Sequence, residues 1–367
     1  MTATIRDVAR MAGVSVATVS RVLTGSAPAR DDTRARILEA ATALRYTPNS
    51  AARSLITRRT GALGVILPDL HGEFFSELLR GADRAAQAEH HHLLVSSSHH
   101  DREGIEAALR SMRGRVDALL VMSPELDAES LAANLPAALP VVLLNCDAPA
   151  SGAGGAEARQ VDVLAADNFG GARAMVRHLL ALGHTRVAHV AGAARNLDTR
   201  ERLRGYRAAL RESGVARRAA YEAPGDFTEA GGHRAALGLL ALAEPPTAIC
   251  CANDASAIGA LSAARELGRR VPEDVAVVGF DDVPMARYVT PPLSTVRVAI
   301  DRFGARAVEL ALGAARRAAA GLPPRAPVRE TAPAELVVRT SCGAGSRAPP
   351  DAVADTSRAS LGTRPHT

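Results

Sequence analysis

Residues 4–23, TIRDVARMAGVSVATVSRVL, constrain this chain more than any other stretch. Thr4 can cap a first helix, and Asp7, three residues on, suits that helix's positive end. Ile5, Val8, Ala9 and Ala12 then recur at helical spacing. Gly13 permits the left-handed backbone that a three- to four-residue turn needs. Ser15 can cap a second helix, which turns Val19 and Val22 inward. Small Ala9 and Gly13 let the two helices approach closely. Val16, Ala17, Thr18, Ser20 and Arg21 are left outside, and no core needs them. The pattern fits an ordinary αα-hairpin, and equally a helix presented to a DNA groove.

Charge distribution separates those alternatives. Residues 1–60 hold ten Arg and four acids, a balance of +6, whereas the whole chain carries +5. The basic excess therefore lies entirely in the segment with the hairpin, the electrostatic footprint of a DNA-binding headpiece. Every fixed side-chain cation is Arg; the absence of Lys excludes a lysine Schiff base and a phosphate-loop lysine. Cys146, Cys250, Cys251 and Cys342 show neither ligand nor disulfide spacing, which fits buried thiols in a reducing cytosol. No apolar run reaches the length of a membrane span, and the N-terminus lacks a signal-peptide core.

A polar loop, 24–30, precedes a third helix begun by Asp31 or Asp32, with Ile37, Leu38, Ala41 and Leu44 on one face. Residues 49–56, NSAARSLI, form a short segment that Asn49 can cap. A helix this short is marginal alone in water; it is a plain linker, or a helix that forms only against DNA and a second subunit.

From residue 62 strands and helices alternate. Strands are expected at 63–68, 92–97, 116–122, 140–145, 161–167, 186–192, near 219–222, at 247–252 and at 275–280. Helices are expected at 74–88, 102–112, 128–135, 169–182, 199–213, 229–242 and 254–267. Continuous apolar strands with crossover helices imply parallel sheets covered on both faces. They are too many for one small sheet. The loop 148–159 has no apolar period.

These residues resemble the lactose-repressor (LacI) family of bacterial transcription regulators. The resemblance rests on the opening stretch, then YTPNSAARSL, then FFSELLRGAD, ADNFGG, ERLRGY, CCANDASAIGAL, VPEDVAVVGFDD and PPLSTV in family order, over residues 4–341. It implies a three-helix helix-turn-helix headpiece and an α/β periplasmic-binding-protein-like body of two doubly wound parallel-sheet subdomains. The expected divisions are 1–47 (headpiece), 48–61 (hinge helix and linker), 62–341 (ligand-binding and dimerisation body) and 342–367 (disordered tail). Within the body the subdomains are expected at 62–160 plus 294–323 and at 161–293 plus 324–341.

By the same resemblance Val16, Ala17 and Arg21 face base edges in the major groove. Thr4, Ser15, Thr18 and Ser20 contact phosphates or frame the helices. In the hinge, Asn49, Ala52, Arg53 and Leu55 meet the minor groove, with Leu55 as a wedge that unstacks a base step. The effector cleft draws on Phe74, Phe75, Asp167, Asn196, Asp198, Arg202, Phe227, Asn253, Asp254 and Asp281. Carboxylates, amides, Arg and aromatic faces suit a polyhydroxyl ligand. Purine-binding relatives carry Arg where Asn196 stands and Trp where Cys146 stands, so a sugar is expected. The plainer roles are a helix cap for Asp254 and an ion pair for Arg202.

His90, His91, His92, His99 and His100 invite a metal reading, but neighbours on a strand face opposite ways and nothing completes a ligand spacing. No metal, cofactor or catalytic constellation is expected; the chain has no GxSxG, HExxH or dinucleotide fingerprint. The expectation is a cytoplasmic, nucleoid-associated homodimer on a near-palindromic operator. A small effector controls it, as an inducer or, alternatively, a corepressor. A solute-binding protein is the less favoured rival.

Overall fold

The computed structural model describes residues 3–24, 30–46, 59–126, 131, 134–136, 139–146 and 161–344. The hinge residues Asn49, Ala52, Arg53 and Leu55, the loop 148–159, most of the helix expected at 128–135, and 345–367 lie outside them. The chain divides into two units, 1–61 with 114–116 and 62–113 with 117–367.

The first unit holds α1 (Ile5–Ala12), α2 (Val16–Thr24) and α3 (Asp31–Ala43). Asp7 closes the start of α1 by accepting from the Thr4 N–H (3.0 Å) and hydroxyl (2.7 Å). Gly13 ends it at φ +66°, a conformation a side chain would strain. Val8, Ala9, Ala12, Val19, Ile37, Ala40 and Ala41 form the core. Leu38, expected inside, is 46% exposed. The inward face of α3 runs through 37, 40, 41 and 44, the i, i+3, i+4, i+7 stripe, and position 38 falls outside it.

The second unit carries β1 (Ala62–Leu67), α4 (Glu73–Ala88), β2 (His92–Ser97), α5 (Arg102–Met112), β3 (Ala118–Met122), β4 (Val141–Leu144) and β5 (Asp162–Ala166). Next come α6 (Asn168–Ala181), β6 (Val187–Val190), α7 (Leu197–Glu212), β7 (Glu222–Ala223), α8 (Glu229–Leu240), β8 (Ala248–Cys251), α9 (Asp254–Glu266) and β9 (Ala276–Val278). The end of the unit is β10 (Thr295–Val298), α10 (Ile300–Ala319), β11 (Arg329–Ala332) and β12 (Ala334–Val337). One parallel sheet runs β11-β5-β4-β3-β1-β2; a second runs β7-β6-β8-β9. A two-stranded antiparallel ribbon, β10-β12, joins the second through bridges Val278–Ser294 and Asp281–Arg297.

The sheets do not divide where the sequence suggested. Residues 162–166 and 329–332 belong to the first sheet, and 295–298 lies with the second. The backbone crosses between the halves near 167, 299 and 333, because β5 pairs with β4 and β11 whereas the helix after it packs on the ribbon. Cys342, expected at the start of the tail, is fully buried in a 3-10 turn, Thr340–Cys342.

Glycine permits the close contact of α4 with α10. A Cβ on Gly81 of α4 would stand 1.9 Å from the Asp301 carbonyl oxygen of α10, and one on Gly304 would stand 2.2 Å from that of Leu78. Only hydrogen lets these two backbones approach so closely.

Candidate DNA-reading surface and effector crevice

On α2 the cap forms as its residue types demand: the Thr18 N–H donates to Ser15 Oγ at 3.1 Å, and the two hydroxyls lie 2.9 Å apart. Val19 is buried and Val22 half-buried, which leaves Val16, Ala17 and Arg21 exposed together. Arg21 Nε donates to the Ala17 carbonyl one turn back, at 3.2 Å. The surface offers one long donor, short hydroxyls and two apolar side chains.

In the body the centre of the polar chemistry is Arg202, 4% exposed on α7. Its guanidinium stacks 3.8 Å from the Phe280 ring centroid and donates to Asn168 Oδ1 (2.8 Å), to the Ala252 carbonyl and to Asp281 Oδ1 (3.3 Å). Asp198, one turn earlier on α7, accepts from the Asn145 amide (3.1 Å) and the Asn168 amide (2.8 Å). Asn145 also ties to β5, accepting from the Ala166 N–H at 2.9 Å. The network thus links the ends of β4 and β8, the starts of α6 and α7, and the residues after β9. These are carboxyl ends of parallel strands and helix starts, where open α/β sheets hold ligands.

Burial dominates the electrostatics. It pushes the Asp198 carboxyl up to about 6 and that of Asp281 up to about 7, although Arg202 opposes both. Phe74, Asn145, Ala166, Arg202, Val298, Ile300 and Phe303 close tightly around a narrow crevice. Phe75 meets Phe74 edge-on, with ring centroids 5.5 Å apart.

The residues expected at the cleft therefore separate. Phe74, Asn196, Asp198, Arg202 and Asp281 belong to this network or its margin. Asn196 caps α7 through the Thr199 N–H (3.2 Å) and donates to Glu125 (3.1 Å). Asp167 caps α6 by accepting from the Gly170 N–H at 2.8 Å. Asn253 caps α9 and donates to the Phe227 carbonyl at 2.9 Å, while the Phe227 ring sits over Gly192, where a Cβ would fall 2.2 Å from it. Asp254 does not fill the helix-cap role, which Asn253 takes. It is wholly buried, and its oxygens accept from the Thr295 hydroxyl (2.5 Å) and the Val283 N–H (2.9 Å), so it pins the ribbon to the second sheet.

Glu125, Asn145, Asn168 and Phe303 were missed. Asn145 ends PVVLLN and Asn168 follows Asp167, so the strand-end rule pointed to both. Cys146, beside Asn145, is buried; its Sγ accepts from the Ser123 N–H (3.2 Å), and burial pushes the thiol up to about 12. Of the histidines, His91 pairs with Asp117 (3.4 Å) and His100 with Glu125 (3.1 Å). Among the described residues no group of His, Cys, Asp or Glu is placed to hold a metal ion, and no helix is long and apolar enough to cross a membrane.

Residues 4–49 match the model for bacterial regulatory proteins of the lacI family, and 176–342 match a periplasmic binding protein-like domain. The transcriptional regulator GalS of Salmonella typhimurium is 39% identical over 310 residues, 84% of this chain and 89% of that protein. GalR of Escherichia coli is 37% identical over 317 residues, 85% and 89% of the two. The PurR repressor of Mannheimia succiniciproducens is 32% identical over 84% of this chain and 90% of its own length. Among solved structures, the lac repressor dimer bound to operator and the anti-inducer ONPF superposes with a TM-score of 0.80 at 27% identity, covering 93% of this chain and 99% of that one. The regulator CelR in complex with cellobiose superposes at 0.65 and 29% identity, covering 92% and 99%. With the headpiece, the two-sheet body and these matches in agreement, the chain belongs to the lacI family of bacterial regulatory proteins, as a helix-turn-helix DNA-binding transcriptional regulator.

Proposed function

We propose that this regulator is a cytoplasmic homodimeric repressor of carbohydrate uptake or breakdown genes, released from a near-palindromic operator by a small sugar. One observation carries the reading: the Asn145–Asp198–Asn168–Arg202–Asp281 chain spans both halves of the body with donors and acceptors that a polyhydroxyl ligand can replace. A sugar that takes over some of these bonds favours a different spacing of the halves. The hinge segments then separate, and Leu55 leaves the minor groove. The lac repressor and CelR, solved with an anti-inducer and with cellobiose respectively, support a ligand in this body.

Linkage makes this testable. Operator DNA must weaken sugar binding by the same factor by which sugar weakens operator binding. Titrating each ligand in the presence of the other measures both factors; independent binding overturns the mechanism, and mutual strengthening turns the effector into a corepressor. Leu55→Gly must lower operator affinity, and an unchanged affinity removes the wedge.

A further inference from the structure

Glu125 follows β3 and holds an unusual position beside the network. Its Oε1 accepts from the Asn196 amide and lies 3.1 Å from His100 Nδ1. Its Oε2 is buried with no hydrogen-bond partner among the described residues, and the side chain is only 10% exposed. The Leu197 N–H donates to the Pro124 carbonyl at 2.9 Å, which fixes this turn against the start of α7. There the Asp198 carboxylate stands near enough that the Glu125 charge helps to raise its pKa.

The two carboxylates feel each other's charge, and their direct partners are the amides of Asn145, Asn168 and Asn196 and the half-exposed imidazole of His100, whose pKa the bond to Glu125 raises. Arg202 offsets part of the Asp198 charge, but its hydrogen bonds go to Asn168, Ala252 and Asp281. A buried carboxylate oxygen without a donor is costly, and native proteins leave few such atoms unmet. A ligand hydroxyl would satisfy the oxygen but leave the Glu125 charge to His100, which is half-exposed and cationic only when protonated. An ammonium group satisfies both, through a charge-assisted hydrogen bond.

We infer that Glu125, together with Asp198, makes this regulator select an effector with a protonated amine on a polyhydroxyl frame, an amino sugar in preference to a neutral one. The inference rests on the sugar reading above and adds a specificity residue to it. Glu125 has one oxygen engaged by Asn196 and the other buried without a donor among the described residues.

The test is calorimetric titration of the full-length protein with galactosamine and glucosamine, their parent hexoses and their N-acetyl forms. Ribose and cellobiose extend the neutral set. The expected result is that an amine binds at least about tenfold tighter than its parent and its N-acetyl form. Glu125→Gln should close that gap, lowering the affinity for the amine at least about tenfold more than that for its parent hexose. Equal binding of amine and parent overturns the amine selection and leaves the sugar reading intact. So does binding of neutral sugars alone. If Glu125→Gln weakens every sugar alike, Glu125 holds the turn and does not read the ligand. If no sugar binds, the sugar reading falls and this inference with it. Should the variant fail to fold, the wild-type ranking of amine, parent and N-acetyl form decides the matter unaided.

Discussion

Arg202 donates to the Asp281 carboxylate at 3.3 Å with both side chains about 95% buried, 4% and 5% exposed respectively. The pair joins α7 to the residues that follow β9, so the carboxyl edge of the second sheet depends on it. Removing the cation strands a buried carboxylate. Arg202→Leu should cost about 3–5 kcal/mol in urea unfolding, the range for a broken buried pair. Asp281→Asn leaves the buried Arg202 cation without its carboxylate and should destabilise as well, by less than Arg202→Leu because the amide oxygen still accepts. A loss under about 1 kcal/mol for Arg202→Leu would mean that water enters and solvates Asp281.

The same carboxyl gives stability a pH dependence of known sign. The folded pKa of Asp281 is raised from 3.8 to about 7, mainly by burial. The folded state thus binds its proton more tightly than the unfolded chain. The contribution is fully present below pH 4 and is lost as pH rises from about 4 to 7. Relative to Asp281→Asn, the wild type should lose stability across that window. Paired denaturation curves at pH 5 and pH 7 measure it, and a parallel pair of profiles would refute the burial argument.

His189 has the opposite sign. It is 1% exposed on β6, with its ring stacked on Tyr206 at 5.2 Å, and burial pushes its pKa down from 6.5 to about 4. Here the unfolded chain binds the extra proton. The stability contribution is complete above about pH 6.5 and falls away toward pH 4, by roughly 3 kcal/mol at one pKa unit per 1.36 kcal/mol. His189→Phe should flatten the acid limb of a thermal-melt profile between those values without displacing the neutral plateau by a comparable amount.

Much of this was legible before any coordinates. Apolar runs such as 62–67 and 118–122 announced buried parallel strands, and the helices 102–112 and 254–266 fell within a residue of their expected limits. What the pattern could not say was which sheet a strand joins. DVLAA at 162–166 looks the same whether it pairs with β4 or begins a second sheet, and the decision lies in its partners at 141–144 and 329–332. The network hid for the same reason. Asp198 meets Asn145 across 53 residues and Asn168 across 30, and Glu125 reaches Asn196 across 71. Single residues of that kind carry no periodicity, and only the folded sheet edge brings them together.

Close helix packing gives a prediction independent of any ligand. A methyl group at Gly81 overlaps the Asp301 carbonyl, which is backbone and cannot turn aside. Gly81→Ala should therefore lower the stability of the body by about 1–3 kcal/mol, although Ala favours helix. Gly313→Ala, with nothing within 4 Å of its Cβ position, is the control, and it should be neutral or stabilising. Equal effects at the two sites would show that α4 and α10 can slide apart at little cost.

The headpiece prediction separates reading from holding. Arg21 is the one long donor on the outer face of α2, beside exposed Val16 and Ala17. A guanidinium in that place can meet guanine with two bonds, a discrimination worth about 1–3 kcal/mol. Arg21→Ala should therefore weaken operator binding by that amount and relax the preference at a single base pair in each half-site. Ser20→Ala should instead weaken binding evenly across operator variants, because a phosphate contact carries no sequence information. Ser15→Ala removes the cap on Thr18 and should lower headpiece stability by about 1 kcal/mol. Its binding defect should then shrink on cooling, as the helix refolds, whereas the Arg21 defect should persist at any temperature where the headpiece is folded. A half-site preference unchanged in Arg21→Ala would move sequence reading from this helix to the deformability of the operator itself.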